Sequence, residues 1–438
     1  MNETRRGLLR TTLGAALIPT ISPLLAGRAQ AQREPPPDPD APPRAAGLPG
    51  RDYRPVITPN SVALPHRIVD GVKVFHLVAQ DVMHEFAPGL VAACWGYNGR
   101  VHGPTIEAVE GERVRIYVTN RLAVATTVHW HGLHLPNGMD GVGGLHQRSI
   151  EPNETFRYEF TLRQHGTFMY HSHHDEMTQM ALGLTGLFVV HPRELEAEPP
   201  ARDYAILLHE WKITPGARRP DPNEMMDFNV LTMNAKIHPA TQNLVARRGE
   251  RVRIRIGNLS AMSHHPIHLH GHSFQVTETD GGRLANGWVE STILVPTGST
   301  RTIEFTADAL GDWPLHCHMT HHVMTQMGHG LPNTVGIDLT HVDDALYAHV
   351  PAYAEMGSEM EMGSTMSSDE DPLVPPNSLS MIGSRGPHGI ITMSGMFTIL
   401  KVREAIEEGV EPGWYEHPEG TQALLATSDE LRRDGVES

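Results

Sequence analysis

GERVRIYVTN, residues 111–120, returns as GERVRIRIGN at residues 249–258. Both stretches alternate apolar and polar side chains, as a strand with one buried face does. Short apolar runs punctuated by glycine, proline and asparagine continue through both copies, and long helical periodicity is missing. The repeat therefore predicts an all-β chain with two sandwich or barrel domains, at residues 55–193 and 203–342.

The segments outside the repeat have compositions of their own. Residues 1–31 combine an arginine pair, a moderately apolar stretch and a small-x-small site, which is typical of a twin-arginine export signal. Residues 32–54 are predicted to be a proline-rich linker. Residues 343–438 lie outside the repeat, and we predict a largely irregular, methionine-rich C-terminal extension there. Within it we expect residues 355–378 to be disordered and the stretch HGIITMSGMFTILKVREAI to form one strand that adds to a sheet edge.

Composition restricts the partners and the compartment. The formal net charge is -16 at pH 7, and an acidic chain is a poor ligand for nucleic acid. No stretch beyond the signal is apolar enough to span a bilayer, so we expect no membrane segment and a periplasmic or secreted protein. The two cysteines allow at most one disulfide bridge. We interpret Cys94, in the apolar run VAACW, as a buried free thiol and Cys317 as functional.

Histidine motifs recur at matched positions in the two copies of the repeat. Each copy carries a His-x-His-Gly about ten residues after its GERVRI strand and ends in a second His-x-His. Side chains alternate along a strand, so each pair sends two imidazoles to one face. If the two copies pack with these faces together, eight imidazoles converge, which is too many for one zinc ion and suits several copper ions. Unrelated structural histidines would not produce four pairs with one spacing in matched positions. The eight residues are His129, His131, His171, His173, His268, His270, His316 and His318.

Cys317 lies between two of these histidines, in HCHMTHHVMTQM at residues 316–327. It therefore points to the opposite face, into its own domain. Two imidazoles, one thiolate and a weak axial thioether are the ligands of a blue-copper electron-transfer site. The predicted ligands are His265, Cys317, His322 and Met327. His264, beside the first of them, is the nearest alternative.

One tripeptide, residues 316–318, would connect the blue site to the cluster, because the histidines on either side of Cys317 belong to the cluster. The first copy of the repeat lacks the equivalent ligands. Its counterpart of Cys317 is Ser172, and its counterpart of His265 is about Thr126. Only the second domain is therefore predicted to accept electrons.

Taken together, the motifs resemble those of the multicopper oxidases. HWHG, HSH, HPIHLHG and HCHMTHHVMTQM match that family's four copper-binding motifs, and WGYNG at residues 95–99 resembles the strand before the first of them. The resemblance covers about residues 55–342 and implies two cupredoxin-like Greek-key domains. It also implies four copper ions per subunit. Type 2 would lie on His129 and His268, the binuclear type 3 pair on the other six cluster histidines, and type 1 on the blue-copper ligands.

The spacing of the motifs differs from that of three-domain laccases. Only 91 residues separate His173 from His265, which is too few for a middle domain. The chain thus resembles two-domain, laccase-like enzymes with the type 1 copper in the second domain. In that group the cluster forms between the first domain of one subunit and the second domain of the next, so the resemblance implies a homotrimer. Head-to-tail contacts of this kind close into rings.

Asp140, in MDGVGGLHQ, occupies the place of an acid that supplies protons to reduced oxygen in this family. Reduction of dioxygen to water inside a buried site needs such a donor, so Asp140 and Cys317 are the predicted catalytic residues. The alternative for Asp140 is a turn cap before Gly141. A second acid of the family, just before the type 1 histidine, is replaced by His321.

The resemblance implies an oxidase that takes single electrons from a phenol or aromatic amine and reduces dioxygen to water. The methionine-rich EMGSEMEMGSTM, residues 355–366, offers thioethers that suit Cu(I), so a cuprous oxidase for copper tolerance is the first alternative. A copper nitrite reductase needs three histidines at one catalytic copper and would carry its blue site in the first domain, which Ser172 disfavours. The remaining alternative is a non-catalytic copper-binding protein, which missing ligands would favour.

Overall fold

A computed structural model describes residues 42–214, 216–324, 379 and 384–437. The described strands fall into two halves, each with two principal sheets around an apolar core. The strands of the first half are β1 (His66–Val69), β2 (Val72–Ala87), β3 (Leu90–Tyr97), β4 (Ile106–Val109), β5 (Arg113–Asn120), β6 (His129–His131), β7 (Thr155–Thr161), β8 (Gly166–His171) and β9 (Thr185–His191).

The second half begins with the strand after His191. Its strands are β10 (Arg202–Trp211), β11 (Val230–Met233), β12 (Leu244–Arg247), β13 (Arg251–Asn258), β14 (His265–Leu269), β15 (Phe274–Thr279), β16 (Gly282–Glu290), β17 (Thr292–Val295), β18 (Thr300–Thr306), β19 (Gly311–Cys317), β20 (Arg385–Gly386), β21 (Gly389–Ile390) and β22 (Phe397–Arg403). The α-helices of the described residues are α1 (Glu176–Ala181) and α2 (Ser428–Asp434). No helix among the described residues is long and apolar enough to cross a membrane. The all-β prediction is confirmed.

In the first half, a sheet in the order β1-β2-β5-β7, with β3 beside β2, encloses the core with a sheet in the order β4-β9-β8-β6. The first repeat motif forms β5, whose Val114, Ile116 and Val118 point into that core. Each large apolar side chain buried in this way stabilises the fold by about 1.5–3 kcal/mol. The pairing of β6 with β8 places His129 opposite His171.

The second half repeats this plan. A six-stranded sheet has the order β11-β10-β13-β18-β15-β16, and a five-stranded sheet has the order β12-β22-β19-β14-β17. The second repeat motif forms β13, which occupies the position of β5 and confirms the repeat. The pairing of β14 with β19 places His268 opposite His316 and Ile267 opposite Cys317. The boundaries of the two domains stay predictions.

The C-terminal strand differs from its prediction. Residues 397–403 form β22 in the interior of the five-stranded sheet, between β12 and β19, and not at an edge. The reason is burial on both faces, because every residue from Phe397 to Val402 is buried, as in an interior strand. The extension therefore contributes a strand to the second half. Residues 1–31 and 355–378, which carry the export-signal and disorder predictions, lie outside the described residues.

A buried arginine of the second half is hydrogen-bonded to the first half. Arg255, fully buried on β13, donates to both carboxylate oxygens of Asp203 at 2.8 and 2.9 Å and to the hydroxyl of Thr167 on β8 at 3.1 Å. The hydroxyl of Thr300 donates to the Thr167 carbonyl at 2.9 Å. Because a buried guanidinium is strongly destabilising without its partner, these contacts fix how β8 and β13 sit against each other.

Three buried histidines on and near β2 and β10 give the fold an acid sensitivity. Burial lowers the pKa of His84 and His209 from the ordinary 6.5 to about 4, and that of His102 well below its ordinary value. Between pH 6.5 and about 4, these rings stay neutral in the folded chain but become protonated in the unfolded chain. Their contribution to stability is therefore complete above pH 6.5 and is lost as the pH falls toward 4.

We predict that replacing His84 with glutamine makes the stability of the copper-free protein less dependent on pH. His84 Nε2 donates to the Ala235 carbonyl at 2.6 Å, and a glutamine amide can keep that bond. Each such histidine lowers the free energy of unfolding by on the order of 1.4 kcal/mol for every pH unit below 6.5 in this range. Urea unfolding at several pH values measures the slope, and equal slopes for the variant and the wild type would contradict the prediction.

Candidate metal centres

Three side chains of the second half converge on one point. His265 begins β14, Cys317 ends β19, and His322 lies in a 3-10 turn, Thr320–Val323. Cys317 Sγ is 3.7 Å from His265 Nδ1 and 3.5 Å from His322 Nδ1, and the two nitrogens are 3.2 Å apart. His265 and Cys317 are completely buried. Two imidazoles and a thiol this close form a donor set for a soft metal ion, and copper fits it.

Burial sets the charge of this group. It raises the pKa of the Cys317 thiol to about 12 and lowers the pKa values of His265 and His322 to about 3 and about 4. The copper-free group is therefore neutral, with a protonated thiol and two imidazoles in their ligand form. A bound cation would replace the thiol proton, so copper uptake would release it.

The choice between His264 and His265 is decided by orientation. His265 is buried and its Nε2 donates to Ser260 Oγ at 2.7 Å, which leaves Nδ1 facing Cys317. His264 is exposed, and its Nδ1 accepts from the Thr297 N–H at 3.1 Å. His265 is therefore the residue that lies in the group, and its role as a copper ligand stays a prediction. Met327 lies outside the described residues.

The first half has no such group at the equivalent place, as the sequence predicts. Thr126 and Ser172 lie there, with their hydroxyl oxygens 3.4 Å apart. Both hydroxyls donate to Oε1 of Gln179, at 2.6 and 2.5 Å. This hydrogen-bonded triplet of hard oxygen atoms occupies the position that a thiol and an imidazole hold in the second half.

The eight predicted cluster histidines form two similar sets. In the first set the ring centroids in contact are 5.3–6.1 Å apart, and in the second 4.7–5.7 Å. Ring nitrogens face each other at 3.3 Å in the first set and 3.0 Å in the second. The first set is His129, His131, His171 and His173, and the second set is His268, His270, His316 and His318.

Main-chain carbonyls fix the rings in the same way in both sets. In the first set, His129 Nδ1 donates to the Asp140 carbonyl and His171 Nδ1 to the Ser172 carbonyl, each at 2.8 Å. In the second set, His268 and His316 make the equivalent bonds, at 2.7 and 2.8 Å. These four rings therefore keep Nε2 free for a metal ion.

Burial also keeps several of these rings neutral. It lowers the pKa of His171 to about 3, and it lowers the pKa values of His131, His270 and His316. A neutral imidazole is the form that binds metal. Within the described chain, however, no ring of the first set contacts a ring of the second set. The described chain therefore presents two separate sets of four histidines, and the second is partly open to solvent at His318.

Asp140 lies beside the first set. Its Oδ2 is 3.4 Å from His129 Nδ1 and 3.1 Å from His146 Nδ1. Asp140 also closes the 3-10 turn Asn137–Met139, in agreement with the turn-cap alternative, and its role as a proton donor stays a prediction. Gly141 has φ +90°, and a side chain there would overlap the Val128 carbonyl, so glycine keeps Asp140 against β6.

Comparisons with known proteins show the family of the chain. Two family models described as multicopper oxidase match residues 79–195 and 214–336, which together are more than half of the chain. The chain belongs to the multicopper oxidase family. Among solved structures, the fold is similar to a blue copper oxidase from Nitrosomonas europaea, with a TM-score of 0.55, 23% identity, and 75% of this chain and 85% of that chain covered.

A second structure, multicopper oxidase mgLAC, aligns with a TM-score of 0.54 and 29% identity over 61% of this chain and 89% of that chain. Copper resistance protein A of Escherichia coli is 28% identical over 47% of this chain and 43% of its own length. Laccase-19 of Oryza sativa subsp. japonica is 30% identical over 51% of this chain and 40% of its own length. The matches thus span less than half of these two relatives.

Two side chains of this multicopper oxidase were missed by the sequence reasoning. The carboxylate oxygens of Glu176, at the start of α1, lie 3.7 Å from His171 Nδ1 and 3.7 Å from His173 Nε2. Its position three residues after His173, in HSHHDEM, is a signal that sequence reasoning could have used. His146 was missed because only the turn after β6 brings it to Asp140.

We predict that replacing Ser260 with alanine weakens copper binding at the predicted blue site of His265, Cys317 and His322. Ser260 fixes the ring of His265 through the 2.7 Å hydrogen bond to Nε2. Loss of such an outer partner lowers metal affinity about 10–100-fold. Competition with a chelator, followed by the blue absorption band, measures the change. Ser273→Ala, at an exposed position, is the matched control, and equal affinities for both variants would contradict the prediction.

Proposed function

We propose that this chain is a copper-dependent oxidase that couples one-electron oxidation of a donor at a type 1 site to four-electron reduction of dioxygen to water. When bound, copper supplies the change of redox state at both places. The type 1 ligands would include His265, Cys317 and His322. The two histidine sets would hold one type 2 and two type 3 ions, with type 2 on His129 and His268.

The observation that carries the proposal is the position of residues 316–318. Cys317 faces the buried type 1 group, while His316 faces the second histidine set. A covalent path of one residue therefore links the two centres. A protein that only stored copper would not need its thiol group and its histidine set on opposite faces of one strand.

Protons are the second requirement of oxygen reduction. Asp140 lies against His129, and its side chain is 26% exposed, so its carboxyl group can exchange protons with solvent. We propose that Asp140 carries protons to the cluster. Its main-chain carbonyl fixes the His129 ring, so the same residue places a ligand and a proton carrier side by side.

We propose that the cluster is completed between copies of the chain, in a homotrimer. The support is the separation of the two sets within one chain, since four histidines alone cannot supply eight ligands. Exposed apolar side chains lie beside both sets. Met177 neighbours Glu176 and is 61% exposed, and Leu294, on the face of the sheet that carries His268, is 49% exposed. Both side chains are therefore accessible to a second copy of the chain.

The preferred donor is a phenol or an aromatic amine, as the family resemblance implies, and the similarity to relatives named laccases agrees with it. Cu(I) is the second candidate, because Met262 and Met319 expose their thioethers three residues before His265 and two after Cys317. Relatives named copper resistance protein A agree with that alternative. Export through the twin-arginine signal to the periplasm is part of the proposal.

Oxygen uptake with each donor tests the proposal. Copper-loaded protein receives a phenol or Cu(I) in separate assays, and a deletion of residues 355–366 is assayed beside the wild type. Faster uptake with the phenol supports the laccase-like donor. Faster uptake with Cu(I), lost in the deletion, supports the cuprous oxidase. Absence of uptake with both donors contradicts the oxidase and favours a copper-binding protein.

A further inference from the structure

Met396, one residue before β22, lies directly opposite Cys317. In the antiparallel pair of β19 and β22, His316 faces Phe397. The Cys317 N–H donates to the Met396 carbonyl at 3.1 Å, which extends the pairing by one residue. Residues that face each other in an antiparallel pair project to the same side of the sheet. The side chain of Met396 is thus placed on the side of the Cys317 thiol.

The orientation of the neighbouring residue Phe397 supports this placement of the Met396 side chain. The ring of Phe397 lies 6.5 Å from that of His316, on the face of the second histidine set. Alternation therefore puts Met396 on the opposite face, with the type 1 group. Met396 and Cys317 are both completely buried and belong to one apolar core.

The main chain of Met396 is also hydrogen-bonded to the turn that carries His322. The Met396 N–H donates to the His322 carbonyl at 3.0 Å, and the Ser394 N–H donates to the Val323 carbonyl at 2.7 Å. Gly395, with φ +55°, leaves no room for a side chain, which would overlap the carbonyl oxygens of His322 and Met324. The glycine therefore permits the close approach that holds Met396 between Cys317 and His322.

We propose that Met396 supplies the axial thioether of the type 1 copper site. A weak, long methionine ligand completes a site of two histidines and one cysteine, and the flexible thioether adapts to its distance. The proposal rests on the proposed function in taking His265, Cys317 and His322 as copper ligands. Met396 thus takes the role of axial ligand that the sequence motif predicts for Met327.

Two substitutions of Met396 test the assignment through the reduction potential of the type 1 copper. Met396→Leu keeps the volume and removes a donor to Cu(II), so the potential rises. Met396→Gln offers a harder amide oxygen that favours Cu(II), so the potential falls and the Cu(II) electron paramagnetic resonance spectrum changes. Met327→Leu is the matched control and leaves the potential unchanged. A shift in Met327→Leu together with none in the Met396 variants would overturn the proposal.

A second measurement does not depend on the folding of Met396 variants. In selenomethionine-labelled, Cu(II)-loaded Met327→Leu, X-ray absorption at the copper edge is expected to retain copper–selenium scattering. Its loss in that variant would overturn the assignment. Both measurements read the type 1 copper without dioxygen. Protein that shows these signals but consumes no oxygen would contradict the oxidase and leave the ligand assignment standing.

Discussion

Replacing Cys317 with serine is expected to abolish the blue absorption band and to lower oxygen uptake by more than about a hundredfold. Loss of a residue that hydrogen-bonds to a metal ligand lowers affinity or activity about 10–100-fold, and loss of the ligand itself is expected to have a larger effect. A serine hydroxyl at this buried position is a hard, neutral donor, and it leaves His265 and His322 without the thiolate that binds copper in a blue site. Electrons from the donor then have no entry to the cluster.

The matched control is Cys94→Ser. Cys94 is also a buried free cysteine, but it belongs to a separate apolar core with Phe86 and Trp211. Both variants bury one hydroxyl, at a cost of about 1–3 kcal/mol in stability, so circular dichroism and unfolding midpoints should change similarly. Only Cys317→Ser should lose the band and the activity. Equal activity in the two variants would show that Cys317 does not carry the electrons.

Mixing two inactive variants is expected to restore oxygen reduction. His131→Ala damages the first histidine set and His270→Ala the second, at the matched position of each repeat. Alone, each variant lacks a ligand at every cluster. In a mixed oligomer with head-to-tail contacts, an intact first set from one variant meets an intact second set from the other. Random assembly of equal amounts then gives about one intact cluster in four.

The variants are unfolded, mixed, refolded and loaded with copper together, and oxygen uptake is compared with that of each variant treated alone. The type 1 group is intact in both chains, so electron entry is unchanged. Recovery near a quarter of the wild-type rate supports clusters shared between copies. If the mixture stays as inactive as its components while the refolded wild type is active, the cluster forms within one chain and the trimer proposal fails.

The grouping of the histidines into sets could be predicted from the sequence because strand geometry makes their spacing informative, and their role as copper ligands stays a prediction. Alternation of side chains along β19 is enough to place Cys317 on the opposite face from His316 and His318. The repeat identifies Ser172 as the counterpart of Cys317 that lacks a thiol. Those inferences need only a period of two and a repeated motif.

Features that depend on long-range pairing could not be read in the same way. Nothing near Cys317 in the sequence indicates that Met396, 79 residues later, lies opposite it. The interior position of β22 was missed for the same reason, since the local pattern of FTILKVR does not specify its neighbours. The separation of the two histidine sets depends on how the halves pack, which contacts such as that of Arg255 with Thr167 determine.

The stoichiometry of oxygen consumption tests the central claim most directly. Copper-loaded protein receives a measured amount of a one-electron donor, and oxygen uptake and peroxide are recorded together. Coupling of the type 1 group to a cluster made of both histidine sets predicts about four donor molecules oxidised per dioxygen, with no peroxide released. About two donor molecules per dioxygen with peroxide in solution, or donor oxidation without oxygen uptake, would contradict it.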